Sequence, residues 1–402
     1  MNCRHREYTN LATTLDRNEA TASAKTNAPG NSIVLRDFSM VTALLLIWGY
    51  FAVASPVFLS PRNLSNLAVE LSITAVLAVG MLLIIVCGQI DLSIGSGVGL
   101  IGGVAAVLVF ERHWPAGLAM ALAAVAAVVV WRTMGKLIVS QRIPAFIITL
   151  AGMLVFKGLH WEVIHDATIP VTVGGSDNLY SLLTTWFLPP AAGWVLSAAV
   201  IGALAAGTVS ARRKRQALQL SVDDAEIAFS RLFIAAQIIV LFTLVCNQYR
   251  GIPLPAIILG VTSFVVWVIS RHTPFGRYLY AIGGNAEAAH VSGIPVQKVV
   301  IGAFGIMGLI VALGGFMQTA YAGASTTTTG ELLELDAIAA CVIGGASLSG
   351  GRGTVQGVLF GSLIMASLLN GMTLLAVAPE IKYIVRGLVL AAAVWLDVKL
   401  SK

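Results

Sequence analysis

Charged side chains make up only 11% of the 402 residues, less than half of the roughly 25% found in an average soluble domain. A chain so poor in charge and 57% hydrophobic cannot clothe a water-facing surface, which excludes an ordinary soluble fold. Cysteine is sparse too. Cys3, Cys87, Cys246 and Cys341 stand far apart, which gives neither metal-ligand spacing nor a disulfide framework and leaves them as packing residues. A phosphate-cradling loop is missing: "MGKL" holds Gly135 and Lys136 but neither the upstream glycine nor the following Ser or Thr that such a loop needs. There is no H-E-x-x-H, no G-x-S-x-G and no close His/Cys/Asp group, so no catalytic residue, metal or cofactor is implied. His113, His160, His165, His272 and His290 are scattered and read as surface histidines. Residues 1–36 are polar and mixed in charge without the apolar core of a signal peptide, and read as a flexible cytosolic tail.

Apolar sequence in long runs is what the chain does have. Runs lie near 40–59, 73–87, 97–110, 117–131, 145–160, 187–209, 232–246, 253–269, 299–320, 335–348, 355–369 and 381–396. A helix needs about 17 to 25 apolar residues to cross about 30 Å of hydrocarbon, and several of these runs are short or broken by glycine. The expectation is an all-α, polytopic transmembrane helical bundle of about 10 to 12 membrane segments, some short or re-entrant, spanning residues 37–402.

With the N-terminus in the cytosol, 19 of the 25 lysines and arginines collect on that side, including Arg132, Lys136, Arg142, Arg212, Arg213, Lys214, Arg215 and Arg231. Such asymmetry is what the positive-inside rule produces, and it places both termini in the cytosol. The "ARRKR" run directly after a span reads as a topology anchor rather than a lipid or nucleic-acid patch, and no nucleic-acid partner is expected.

Small residues recur every four positions at Gly95, Gly99 and Gly103, and again at Gly353, Gly357 and Gly361. That spacing puts each series on one helix face, where neighbouring backbones can approach closely. Each series follows a Gly, Ser and Leu-rich break, the pattern that two related halves or chance glycine spacing would both leave. Ionisable residues in the apolar runs are few. Asp91 in "GQIDLSIGS" is either a pathway residue or, more simply, the cap of a helix beginning at Leu92. Glu334 and Asp336 suit a helix N-terminus, and Lys382 and Arg386, one turn apart, suit a wet interior.

One hydrophilic stretch is punctuated like a soluble helix: "YAIGGNAEAAHVSGIPVQKVV", residues 280–300. Asn285 is a good N-cap, Glu287 favours the positive end, and Ala286, Ala288 and Ala289 are strong helix formers. Gly293 and Pro295 stop the helix. On these residues alone the element reads equally as a docking surface for another protein or as a connector between spans.

"TPFGRYLYAIGGNAEAAHVSGIPV", "GQIDLSIGSGVGLIGGVAAVL", "IPAFIITLAGMLVFKG" and "ELDAIAACVIGGASLSGGRGTVQGVLFGSLIMASLLNGM" resemble the signature segments of the sugar permeases of bacterial ABC importers, the ribose, xylose and galactose group. With "NQYRGIPLPAIIL" and "YIVRGLVLAAAVWLD", the pattern is most similar to the xylose-type members, over nearly the whole chain.

The resemblance implies a multi-pass permease of the bacterial inner membrane, paired as a homodimer among membrane lipids. Its partners would be cytosolic ABC ATPase subunits and a periplasmic sugar-binding protein. It also implies that Gly284, Asn285, Glu287, Ala288, Ala289, Ser292 and Gly293, within a cytosolic loop over 271–298, form the coupling helix to the ATPase. His290 departs from the basic residue usual there, and "WRTMGKLIVSQR" lacks the usual Asn-Gly of that loop. Asp91, Ser93, Phe146, Thr149 and Asn370 are candidates for the translocation pathway. In the outer loop over 161–182, Trp161 and Tyr180 read as interfacial anchors or contacts for the binding protein. The competing reading is an ion-coupled secondary transporter of a small polar solute, which would show several intramembrane charges.

Overall fold

In the computed structural model, the residues described are 30–222 and 224–400. Most of the expected tail, Cys3 included, therefore lies outside the described residues. The chain divides into two units, one up to Thr42 and the other from Ala43 to Lys402; apart from the first residues of the first helix, the following concerns the second.

Fifteen helices follow in order among the described residues: α1 (Gly30–Ala54), α2 (Pro61–Val86), α3 (Ile94–Phe110), α4 (Ala116–Gln141), α5 (Ala145–Val163), α6 (Leu179–Thr185), α7 (Pro190–Ala217) and α8 (Ala225–Asn247), then α9 (Leu254–His272), α10 (Pro274–Gly284), α11 (Ala286–Val291), α12 (Val296–Ala322), α13 (Leu333–Ile343), α14 (Val355–Leu374) and α15 (Pro379–Leu400). Eight of these are long and apolar enough to cross a membrane, and Met40–Ala54 and Ile94–Phe110 are shorter apolar helices. The protein is a polytopic helical membrane protein. Its only strands among the described residues are two-residue pairs: β1 (Ile169–Pro170) with β4 (Ala324–Ser325), and β2 (Phe187–Leu188) with β3 (Ile252–Pro253). The first ties the chain beyond α5 to the chain beyond α12, and the second ties the starts of α7 and α9.

Two helices form the centre. The apolar window of α2 is 89% buried and that of α12 72%, against 11% for α7 and for α8. The central helices pack on each other and on α3, α4, α13 and α14, whereas α7 and α8 present Val195, Phe229, Ile234, Ile238 and Leu241 outward. Lipid tails are as apolar as these side chains, so burying apolar area gives little drive for helix association, and close backbone packing takes its place. Gly308 of α12 sits against the Ala127 carbonyl and Trp131 of α4, and Gly315 lies against the Val98 carbonyl and Gly102 nitrogen of α3.

Several elements differ from their sequence reading. The run near 73–87 belongs to a helix that already begins at Pro61, where Ser60 accepts from the Asn63 N–H (3.3 Å); its first turns carry Asn63, Asn66 and Glu70, which broke the apolar pattern. "WRTMGKLIVSQR" is not a loop, since α4 continues to Gln141. Gly357 and Gly361 do face a neighbour, the Gly344 and Ala340 carbonyls. Gly353 does not share that face: Thr354 caps α14 through the Gly357 N–H (3.1 Å), leaving Gly353 outside the helix at φ +151°. Gly95, Gly99 and Gly103 share a face, and that face meets Glu334, the Thr329 carbonyl, His160 and Ser325. His160 is thus not a surface residue. It is buried, with Nε2 3.0 Å from Ser325 Oγ. Cys87, Cys246 and Cys341 are buried and free.

Close packing at Gly308 makes a definite prediction. A Cβ there would lie 2.6 Å from the Ala127 carbonyl oxygen, while one at Gly202 on α7 meets nothing within 4 Å. Gly308→Ala should therefore cost about 1–3 kcal/mol and lower the thermal unfolding midpoint of the purified protein in detergent, whereas Gly202→Ala should not lower it.

Candidate functional site

The hydrophilic tip is built from α10 and α11. Thr273 caps α10, accepting from the Gly276 N–H (3.1 Å), and Pro274 occupies the first turn, where its missing N–H is harmless. Leu279 and Ile282 bury the inner face of α10. Asn285 is extended, at φ −161° and ψ 105°, and does two tasks. Its own N–H donates to the Ala281 carbonyl (3.1 Å), closing α10, while its Oδ1 accepts from the Ala288 N–H (2.9 Å), opening α11. Glu287 stands in the first turn, and Gly293 turns the chain at φ +82°. Gly284, Asn285, Glu287, Ala288, Ser292 and Gly293 all face outward, and Ala289 alone of the predicted set points in, 5% exposed. The neighbouring Val291 is 87% exposed.

Beneath this tip, three stretches meet backbone to backbone. The Gly351 N–H donates to the Val86 carbonyl (2.9 Å) at the end of α2. A Cβ on Gly283 would collide with that same carbonyl and with Gly351. The Tyr280 hydroxyl donates to the Gly353 carbonyl (2.9 Å), with the Arg271 guanidinium 5.8 Å from its ring. Burial pushes the Tyr280 phenol above its ordinary pKa, and Arg271 pulls it back only partly. The end of α10 therefore rests on both helix breaks, the one after Val86 and the one before Val355.

Within the bundle, α3 begins at Ile94 rather than at Leu92, and Asp91 does not cap it. The Asp91 carboxylate folds back instead: Oδ1 accepts from the Ser93 N–H (2.9 Å) and hydroxyl (2.6 Å), and Oδ2 accepts from Trp131 Nε1 (2.7 Å). The Thr149 hydroxyl donates to the Ile90 carbonyl (3.2 Å). Asp91, Ser93 and Thr149 are completely buried, and together they hold the break against α4 and α5. Phe146 stands apart, half exposed on α5.

Asn370 belongs to a second polar group. Its Nδ2 donates to Glu70 Oε2 (3.1 Å), and its Oδ1 accepts from Asn63 Nδ2 (3.0 Å). The Tyr321 hydroxyl donates to Glu70 Oε1 (2.8 Å). Helices α2, α12 and α14 are thus joined around one carboxylate that reading from the sequence overlooked, because Glu70 lies just outside the run that starts near residue 73. Tyr321 is 43% exposed, so the group opens to one side. A carboxylate facing lipid is costly, which makes that side a wet or protein-lined one.

Asp336, in the first turn of α13, pairs with Arg386 of α15 (Oδ2 to NH2, 3.2 Å). Asp336 Oδ1 and Arg386 Nε find no hydrogen-bond partner among the described residues. Lys382 donates to the Thr373 hydroxyl (3.1 Å). In the outer loop, Trp161 is partly exposed and donates to the Thr327 carbonyl (3.1 Å). Tyr180 is neither an anchor nor a docking contact: it is fully buried, its hydroxyl donating to the Gly102 carbonyl (2.8 Å).

A Gly-packed helical membrane bundle, with two chain breaks meeting under an ordered hydrophilic tip, has the build of a transport permease. The chain belongs to the family described as the branched-chain amino acid transport system / permease component, whose model matches residues 63–394. It is 41% identical to the xylose transport system permease protein XylH of Haemophilus influenzae, over 92% of this chain and 98% of that one. Identity to XylH of Escherichia coli K12 is 38%, over 91% and 92% of the two chains. Identity to the ribose import permease protein RbsC of the same organism is 32%, over 91% and 94%. The family is the one that the signature segments resemble. No solved structure matches the chain.

The buried ion pair gives the prediction for this part of the molecule. Arg386→Met strands the Asp336 carboxylate and should cost about 3–5 kcal/mol, much of which Asp336→Asn in the same chain should restore. Unfolding of the single and double variants in detergent measures both effects; equal stability of Arg386→Met and the parent would exclude the pair as a structural tie.

Proposed function

We propose that the protein is the membrane-spanning subunit of an ATP-binding-cassette importer that carries a monosaccharide, a pentose such as xylose, across the bacterial inner membrane. The observation that carries this reading is 41% identity along 98% of a relative named as a xylose transport permease. ATP hydrolysis takes place on separate cytosolic subunits, a periplasmic binding protein delivers the sugar, and two permease copies face each other. Both termini lie in the cytosol, as the clustering of basic residues supports.

In this reading α11 fits a cleft of the ATPase, contacting it through Gly284, Asn285, Glu287, Ala288, Ser292 and Gly293, with Ala289 fixing the helix to its own chain. Nucleotide-driven closure displaces α11, and the backbone contacts at Gly283 and Gly351 carry that displacement to both helix breaks. The equilibrium between inward- and outward-open states then shifts by the differential contact energy of the ATPase with each. Asp91, Ser93 and Thr149 hold the start of α3 as it moves, and Phe146 lies at the inner end of the path.

Asn370, with Glu70 and Tyr321, lines the outer part of the path. A carboxylate has about four lone-pair sites, and the two Glu70 bonds described above leave acceptors for the hydroxyl donors of a sugar.

Two experiments test the reading. Asn285→Trp or Glu287→Lys, in permease reconstituted with ATPase and binding protein, should lower sugar uptake and ATPase stimulation together by roughly tenfold or more, the loss of about 1.4 kcal/mol of contact energy. Membrane insertion should stay normal, and intact coupling in both variants would remove α11 from the ATPase contact. Uptake by the chain alone, driven by a proton or sodium gradient, would replace the importer with an ion-coupled carrier. Separately, Glu70→Gln should reduce xylose uptake about 10- to 100-fold, as losing a charged hydrogen bond of about 1.5–3 kcal/mol does, with ATPase stimulation by α11 retained; undiminished uptake would take Glu70 off the path.

A further inference from the structure

The helices α7 and α8 have the least buried apolar windows of the eight candidate spans, and between them lies a cavity that the transport cycle described above does not use. At one end the two helices are locked: Ser197 and Thr243 hydroxyls lie 2.5 Å apart, and Asn247 Nδ2 donates to the Pro190 carbonyl (3.3 Å). At the other, basic, end they separate around a cavity of about 390 Å³. Its lining is mostly apolar, with Leu204, Leu232 and Ala235 among its residues, and it also includes Arg212, Arg215 and Arg231. Arg212 also donates to the Asp224 carbonyl (3.3 Å), which orients it across the gap between the helices. Asp224, the N-cap of α8, makes no side-chain cap bond, so the first-turn N–H groups of α8 add positive potential at the same end of the helix pair. Residues 211–231 hold five basic and three acidic side chains, the acidic ones being Asp223, Asp224 and Glu226, so the balance at this end is positive.

We propose that this cavity is a binding site for one acidic phospholipid, its phosphate among Arg212, Arg215 and Arg231 and an acyl chain along Leu204, Leu232 and Ala235. The occupant follows from what surrounds the site. The outer surfaces of α7 and α8 are exposed and apolar and so face the membrane. A ligand entering from there must be apolar in its body, and the three arginines of the lining select a negative head. Basic pockets between membrane helices select anionic lipid by this combination of charge and chain. Such a lipid would fill the gap at the basic end of the two helices, opposite the Ser197–Thr243 contact, and would brace the hairpin.

The test is a titration of the purified full-length permease in detergent with phosphatidylglycerol and, separately, phosphatidylcholine, read by native mass spectrometry and thermal shift. The parent should prefer phosphatidylglycerol by about tenfold. The triple variant Arg212→Gln, Arg215→Gln, Arg231→Gln should lose that preference, whereas Arg213→Gln with Lys214→Gln, in the same run but outside the cavity, should keep it. Ala235→Phe should weaken phosphatidylglycerol binding by filling the cavity without changing any charge. Equal losses in both charge variants, or undiminished binding to Ala235→Phe, would show diffuse attraction rather than a site. Glycerol phosphate or inorganic phosphate binding as tightly as the lipid would make it a small-anion site. Any of these three results overturns the proposal.

Discussion

A hydrocarbon interior offers no hydrogen bonds, so every backbone group that leaves a helix inside this bundle has to be met by protein. The structure depends on how that demand is satisfied at two places. After Val86 the chain abandons its helix and starts again at Ile94, and Asp91, Ser93, Trp131 and Thr149 occupy the polar groups between. After Ile343 it does so again, and Gly351, Ser347 and Arg352 close the second break through backbone bonds, the Ser347 N–H donating to the Arg352 carbonyl (3.1 Å). The small residues around both breaks let the neighbouring backbones come close enough to do this. Glycine in this protein serves contact as much as flexibility.

An 11-residue helix such as α13 is about 16 Å long, about half the hydrocarbon thickness, and its first turn brings Glu334 and Asp336 among buried neighbours. Broken helices of this kind place polar groups and helix ends within the membrane without exposing them to lipid, which is the usual setting for a transport pathway. Besides Asp91, the Arg386 pair at Asp336 and the Glu70 group accommodate charge there, each bridging helices that are distant in sequence.

Much of this was legible in the residues. The polytopic class followed from the lack of charge, the tip helix from Asn285 and Gly293, and the family from ordered signature segments. Where the reading failed, it failed for local reasons. Apolar runs mark only the oily part of a helix, so the polar first turns of α2 hid Glu70, and the basic end of α4 passed for a loop. Side-chain chemistry alone placed His160 and Tyr180 at the surface; only the fold brings Ser325 and the Gly102 carbonyl to them. The glycine spacing identified close-packed faces but not their partners, and Thr354 as a cap removed Gly353 from the series.

The joint under the tip has a further consequence. Because Gly283, Val86 and Gly351 touch through main-chain atoms, the fit there is set by the absence of side chains and not by their identity. Such a joint tolerates wide drift in the side chains around it, since none of them takes part in it. Under the proposed transport function, a lineage built on this frame could change what it carries without redesigning this joint.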